Sequence, residues 1–367
     1  MNGLALGVMT GTSLDAIDIA LVSIKNSKPD KLVGFYSQQI PKIQKKEIQT
    51  LLETSQNEIH RAALISNKLS FKISTTINKF LKKIKLNHTQ IMIVGVHGQT
   101  IRHNPLNGYS IQLCNPSIIA EKTKISVVSD FRSGDIVRGG QGAPLAPVFH
   151  KEIASDSAPC AILNIGGIAN ITLIDHDKRT DLIVTKGFDV GPGNCLSDLW
   201  CSHNLGKSYD NLGNWARSGN LNQQLLKLML KDSFFEKNPP KSTGVDYFNL
   251  GWINNLLNTK NVKLNPASVQ RTIIELTAIT ISNTIPDKYK KLFICGGGIK
   301  NKFLMERINI KTRRKIFSTS QLGWKPESIE SACFAWLATK TLFKQKLELK
   351  NITGVKKNGI NGSITFV

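Results

Sequence analysis

Short apolar runs that stop at glycine turns alternate along this chain with polar stretches whose apolar positions recur every three or four residues. Leu4 to Val8 is apolar, a Gly/Thr/Ser turn follows, and Ile17 to Val22 alternates, which predicts strand, turn, strand. Residues 46–85 place Ile48, Leu51 and Leu52, then Leu64, Ile65, Leu69 and Ile73, at helical spacing and predict two helices. Ile91–Val96 is a short buried strand ending at His97-Gly98-Gln99-Thr100, and 126–149 is a loop dense in Gly, Asp and Arg. Cys160 to Ile174 then repeats the shape of residues 4–22, strand, glycine turn, strand, with few letters in common. Two such hairpins predict two lobes of similar design.

Further on, 222–232 and 268–285 read as helices. Leu292–Cys295 is a buried strand closed by Gly296-Gly297-Gly298 and followed by a helix from Phe303. Residues 327–344 form a last helix with Ile329, Cys333, Phe334 and Leu337 on one face, and the Gly- and Asn-rich tail ends in a candidate edge strand. Strands alternating with helices indicate an α/β protein. At 367 residues, two domains or one large one are expected, at about 150 residues per domain.

Composition changes this picture little. With 41% hydrophobic and 20% charged residues the chain is globular in type, which excludes a disordered or fibrous protein. No run approaches the roughly 18 apolar residues of a membrane helix, so no membrane partner is expected. The first residues lack a basic segment and read as a strand, not as a signal peptide, so a cytoplasmic location is expected. Six scattered cysteines without a Cys-x-x-Cys pair predict buried reduced thiols. The net charge of +22 is of the size seen in nucleic-acid binders, but only ten of the 48 basic residues are arginine. The lysines are dispersed, with no recognition-helix or RNA-binding signature. A solvated lysine-rich surface that steers anionic substrates is expected, with no nucleic-acid partner.

Four places carry candidate chemistry. Gly11, Thr12 and Ser13 offer freed backbone N–H groups and hydroxyls that can wrap a phosphate, and Asp15 or Asp18 would orient a hydrated Mg²⁺. The plainer alternative is a turn capping its own backbone, and no Walker A element is present. Asp189, between the apolar run 182–184 and a Gly-Pro-Gly turn, is placed to take a proton from water or a hydroxyl, or else to satisfy its own turn. Gly296–Gly298, between strand and helix, would let a planar ligand or phosphate approach the backbone. His97 and the segments 130–135 and 139–144 hold the residue types that bind sugar hydroxyls and carboxylates. His97 has no partners at zinc-ligand spacing, and no dedicated metal site is expected. The loops 239–244 and 209–219 are weaker signals.

In series, GVMTGTSLDAIDIALV, GVHGQTIRHNP, SDFRSGDIVRGGQGAPLAPVFH, LNIGGIANIT, GFDVGPGN, PPKSTG, CGGGIKN and ESIESACFAWLA resemble the anhydro-N-acetylmuramic acid kinase family over nearly the whole chain. The resemblance implies a two-lobed actin/Hsp70/hexokinase-like (ribonuclease H-like) ATPase fold with mixed sheets flanked by helices. It implies ATP and Mg²⁺ as cofactors and 1,6-anhydro-N-acetylmuramic acid as substrate. The ring would be opened and O6 phosphorylated, giving N-acetylmuramic acid 6-phosphate and ADP in cell-wall recycling. By resemblance Asp189 is the general base, and the ATP contacts carry over to Gly11, Thr12, Ser13, Leu14, Asp15, Ala16, Ile17 and Asp18. Fold-level placement adds Gly166 and Gly167 as a second phosphate hairpin and Gly296, Gly297 and Gly298 at the adenosine site. Arg132 is the candidate for the substrate's lactyl carboxylate, with His97 and Glu330 as further substrate contacts. Ala16 stands where glycine is usual.

The expected lobes are 1–130 with 346–367, and 131–345; a homodimer is compatible with the sequence. Rival readings are another sugar or acid kinase of the same superfamily, and an actin- or Hsp70-like nucleotide switch. The latter lacks a spare segment for a partner module.

Overall fold

The computed structural model describes residues 1–11, 14–177, 180, 182–258 and 264–367. They form two compact units, Met1–Ile153 with Gly323–Val367, and Ala154–Leu322.

In the first unit the strands are β1 (Gly3–Thr10), β2 (Ala16–Lys25), β3 (Lys28–Gln39), β4 (Ile91–Val96), β5 (Gln99–Asn104), β6 (Tyr109–Leu113) and β7 (Val127–Ser129). Five of them make a mixed sheet in the order β3-β2-β1-β4-β7, with β5 and β6 as a separate ribbon. β1, β2 and β3 are an antiparallel meander, while β4 runs parallel to β1 and β7 parallel to β4. The tail supplies the edge strand expected of it, Ser363–Thr365, antiparallel to β7.

Strand alternation decides what covers each face. Leu6, Val8, Ile19 and Leu21 pack against Leu69, Ile73, Ile77 and Phe80 of the helix Glu58–Lys83. Each such side chain taken from water contributes about 1.5–3 kcal/mol. On the other face Gly7 lies beside its register partner Gly95, and the helix Ile329–Leu342 sits directly on the pair. A Cβ at Gly7 would come within 1.9 Å of the Ser331 carbonyl, and one at Gly95 within 2.1 Å of the Phe334 carbonyl. That approach explains why the last helix is apolar nearly all round.

The second unit repeats the design with β8 (Cys160–Ile165), β9 (Ile168–His176), β10 (Ile183–Pro192), β11 (Lys291–Cys295) and β12 (Lys315–Ser318), in the order β10-β9-β8-β11-β12. The first three are antiparallel and the last two parallel. Ala161, Leu163 and Ile165 pack against Ile274, Ala278 and Ile281 of the helix Pro266–Asn283 and Leu304 and Ile308 of Lys302–Thr312. A second cluster gathers Trp200, Phe234, Phe248 and Ile273.

The repeat seen in the two glycine hairpins thus extends to whole sheets, and both have the ribonuclease H-like strand order. The boundaries differ from those expected at 130/131 and 345/346: they fall at 153/154 and 322/323. Residues 131–153 stay with the first unit because the tail stitches them in. Thr353 donates to the Asp135 carboxylate at 2.8 Å, Gln141 N–H to the Thr353 carbonyl at 2.9 Å, and Asn361 to the Phe131 carbonyl at 3.0 Å. Residues 323–345 stay because their helix occupies the glycine groove of β1 and β4. Five of the cysteines are buried and Cys114 half-buried, all as free thiols.

Candidate active site

In the first unit the turn after β1 is tied to the end of β4. Thr10 Oγ1 donates to the Gly98 carbonyl at 3.0 Å, and His97 N–H to the Val8 carbonyl at 3.1 Å. Thr12 and Ser13 lie outside the described residues. Leu14 closes the turn with its N–H on the Gly11 carbonyl, at a φ of 56°. The Leu14 and Ile17 side chains are in the core, so a ligand here meets their backbone. Asp15 pairs with Lys45 at 2.7 Å; Asp18 is half-buried on β2 opposite Met9. Ala16 is ordinary strand paired with Gln39, so its Cβ strains nothing in the backbone.

His97 and Arg132, far apart in sequence, meet. The buried His97 ring holds Nδ1 2.8 Å from the Gly98 carbonyl, while Nε2 accepts from Arg132 Nε at 3.0 Å and lies 2.7 Å from its Nη2. Arg132 Nη1 donates to the Gly142 carbonyl at 2.6 Å. Burial, then the Arg132 charge, holds His97 well below the usual histidine pKa. It is therefore neutral, with Nδ1–H toward Gly98 and Nε2 as acceptor. The Gly142 anchor is itself fixed, its N–H donating to the buried Asp135 carboxylate at 2.7 Å. The Phe334 ring lies tilted against the His97 ring with centroids 4.7 Å apart, on the helix whose first turn carries the half-buried Glu330. Burial and then Glu330 push the Cys333 thiol pKa up while Arg132 opposes, so all three share one neighbourhood. The structure brings the three substrate candidates of this unit together.

In the second unit, Asp189 lies on β10 opposite Asn170, where the register slips between Asp189 and Gly191. Such a bulge re-aims side chains. The carboxylate is 7% exposed, and Oδ2 accepts from Thr243 N–H at 3.0 Å. Asp189 N–H donates to the Lys241 carbonyl at 3.0 Å, so the loop 239–244 grips the aspartate from both ends. Lys241 is buried over the Phe234 ring at 4.7 Å and donates to the Phe234 carbonyl at 3.2 Å. Burial and Lys237 lower its pKa, while Asp189 raises it. In the sequence this loop is only a weak signal, because nothing local says that its backbone reaches Asp189.

Gly166 and Gly167 form the β8–β9 turn, and their carbonyls accept from the N–H groups of Gly193, Asn194 and Cys195 at 2.9–3.0 Å. The turn is thereby locked to the start of the helix Cys195–Leu205. Gly296–Gly298 back onto the same turn. Gly296 has a φ of 81°, and a Cβ there would meet Asn164 Oδ1 at 2.4 Å; one at Gly298 would meet Ile165 at 2.3 Å. Around Gly297 a Cβ would meet nothing within 4 Å, so no protein contact accounts for glycine there.

Sheets of one order, each with a glycine turn between its first two strands, define an α/β protein of the ribonuclease H-like ATPase class. The chain belongs to the anhydro-N-acetylmuramic acid kinase family, whose model matches residues 3–367. A relative of that name from Coxiella burnetii (strain Dugway 5J108-111) is 40% identical, covering 98% of this chain and 96% of its own. One of the same name from Pseudomonas syringae pv. tomato is 41% identical over 99% of each chain. Among solved structures, component A of (R)-2-hydroxyglutaryl-CoA dehydratase from Acidaminococcus fermentans aligns at 12% identity and a TM-score of 0.44, covering 93% of this chain and 100% of its own. At that overlap the fold class rests on the sheet order instead. No helix among the described residues is long and apolar enough to cross a membrane.

Proposed function

We propose that the chain carries out its family's reaction in the cytoplasm with Asp189 as general base: water opens the 1,6-anhydro ring of anhydro-N-acetylmuramic acid while O6 takes the γ-phosphoryl group of ATP. The observation that carries this assignment is the buried Asp189 carboxylate, set on a strand bulge and held through Oδ2 by Thr243 N–H. One carboxylate oxygen fixed by a backbone donor orients the group toward a substrate proton. Asp189 takes a proton from water, the water oxygen bonds to C1, and the C1–O6 bond breaks. The electron pair left on O6 attacks the γ-phosphorus and ADP departs. As in an inverting glycosidase the base faces the carbon opposite the leaving oxygen. Transfer of the phosphoryl group to O6 removes the need for a second carboxylic acid to protonate it.

Arg132 binds the lactyl carboxylate, with His97 as the neutral acceptor that aims the guanidinium. Glu330, on the same helix as Phe334, lines the sugar site. The N–H groups around Gly11 and the Gly166-Gly167 turn receive phosphates, and the open surface at Gly297 receives the nucleoside. Mg²⁺ binds through one or two carboxylates plus phosphate oxygens, and would neutralise the phosphate charge when bound. Asp15 and Asp18 are the carboxylates of this turn and strand that would hold it.

The test is ADP release with Mg·ATP, with and without 1,6-anhydro-N-acetylmuramic acid. Release should require the sugar, ¹⁸O from labelled water should appear at C1, and Asp189→Asn should lose about 10²–10⁴-fold in turnover. Turnover at the wild-type rate in that variant refutes the assignment. Sugar-dependent release without ¹⁸O at C1 would instead indicate a kinase acting on an ordinary hydroxyl.

A further inference from the structure

The Gly142 carbonyl that anchors Arg132 belongs to a stretch outside any helix or strand, so contacts from elsewhere must set its place. Three successive backbone donors show which contacts those are. Gly140 N–H donates to the Asp135 carbonyl at 3.0 Å, Gln141 N–H to the Thr353 carbonyl at 2.9 Å and Gly142 N–H to Asp135 Oδ2 at 2.7 Å. The other carboxylate oxygen, Oδ1, accepts from the Thr353 hydroxyl at 2.8 Å. Asp135 and Thr353 are both shut off from solvent, at 0% exposure. A Cβ on Gly140 would stand 2.3 Å from Asp135 Oδ2, so the loop wraps the carboxylate with no room for a side chain.

Complete burial is costly for a charge. It works against the Asp135 carboxylate, and the Thr353 and Gly142 hydrogen bonds, then Arg138 and Arg132, work for it. A buried charge is weak evidence for stability, since well-packed apolar residues often serve a fold as well. A carboxylate, however, accepts in two directions at once, which an apolar residue cannot. Here one direction is the loop that anchors Arg132 and the other is the C-terminal tail.

We infer that Asp135 and Thr353 are positioning residues for substrate recognition: the tail hydroxyl fixes the carboxylate, the carboxylate fixes Gly142, and the Gly142 carbonyl holds the Arg132 guanidinium where the sugar's carboxylate meets it. This rests on the reading of Arg132 as the contact for the lactyl carboxylate. Being sealed from solvent, the two residues act on substrate only through Arg132. Gly142 suits the middle of the relay because its N–H and its carbonyl are both engaged, at a φ of 69° that side chains rarely adopt. The tail grips the same segment again where Lys356 N–H donates to the Arg138 carbonyl at 3.0 Å.

The experiment compares full-length Thr353→Val, Thr353→Ser, Gly140→Ala and Arg132→Met with wild type, using Mg·ATP and 1,6-anhydro-N-acetylmuramic acid with each substrate varied. Valine keeps the shape of threonine and removes the donor to Oδ1. Thr353→Val should raise KM for the sugar about 3- to 10-fold, the equivalent of one hydrogen bond, with KM for ATP and kcat within about twofold. Gly140→Ala pushes on the carboxylate from the loop side and should give the same split. Thr353→Ser keeps the hydroxyl and should stay within about twofold of wild type in every constant. In the Arg132→Met background Thr353→Val should change KM for the sugar by less than about twofold, because no guanidinium is left to aim. Tm falls in Thr353→Val on a purely structural reading too, so the split between the two KM values carries the decision. Wild-type KM for the sugar in Thr353→Val, an equal rise for ATP, or the full effect retained in the Arg132→Met background overturns the inference. Should Arg132→Met raise KM for the sugar while Thr353→Val leaves it unchanged, this inference alone fails. Should Arg132→Met leave KM for the sugar unchanged, the reading of Arg132 fails with it.

Discussion

Replacing His97 by phenylalanine separates a residue that touches substrate from one that aims the residue that does. Phenylalanine keeps a ring against Phe334, now 4.7 Å from the imidazole, but removes Nε2, on which Arg132 Nε closes at 3.0 Å. A hydrogen bond with a charged partner contributes about 1.5–3 kcal/mol. The Gly142 carbonyl at 2.6 Å remains as an anchor, but the guanidinium loses its aim. At about 1.4 kcal/mol per factor of ten, KM for the sugar should rise about 10- to 100-fold, with KM for ATP unchanged. Steady-state kinetics with each substrate varied reads this directly. A double-mutant cycle with Arg132→Lys should be strongly non-additive, because both changes break one arrangement. 1,6-Anhydro-N-acetylglucosamine, which lacks the lactyl carboxylate, should be indifferent to His97→Phe. Additive losses, or an equal loss with that analogue, would show that His97 acts on the sugar by itself and refute the reasoning.

Three further outcomes are expected. Gly297→Ala should fold with an unchanged Tm and raise KM for ATP, whereas Gly296→Ala should lower Tm, since its Cβ meets Asn164 Oδ1 at 2.4 Å at a φ of 81°; equal Tm values would contradict the split. Burial pushes His150 down to about 3 and His97 in the same direction, so both are neutral when folded while unfolded imidazoles protonate from about pH 6.5 downward. Stability is then complete above pH 6.5 and falls below it, by about 2 kcal/mol at pH 5 for His150 alone, and the decline of Tm with pH should be shallower in His150→Leu. Burial opposes ionisation of Glu275, yet hydrogen bonds from Arg307 and Lys311 hold its pKa below the usual value. Arg307→Met should cost about 1.5–3 kcal/mol in chemical denaturation, since Lys311 keeps the carboxylate paired, still more than removal of an exposed pair such as Lys124–Glu121.

Residues 4–22 and 160–174 show their hairpins in the letters, because an apolar run, a glycine turn and a second apolar run act within a few residues of one another. The helices 46–85, 268–285 and 327–344 are legible for the same reason, with ends off by a few residues. The half-exposed β3, with its mixed polar pattern, carries no such signal and is fixed by pairing with β2. Asp189 and Gly296–Gly298 stand out through local glycine chemistry, and the family through eight segments in one order.

Tertiary structure decided everything that depends on distant segments meeting. The unit boundaries move because Gly7 and Gly95 make a groove for a helix more than two hundred residues later, and because Thr353 returns to Asp135. His97 becomes a neutral acceptor only where burial and Arg132 surround it. The PPKSTG loop matters through two backbone hydrogen bonds to Asp189, which no side-chain letter encodes. Local sequence fixes which backbone states are cheap; packing fixes which of the resulting groups meet, lose water and so acquire a chemistry.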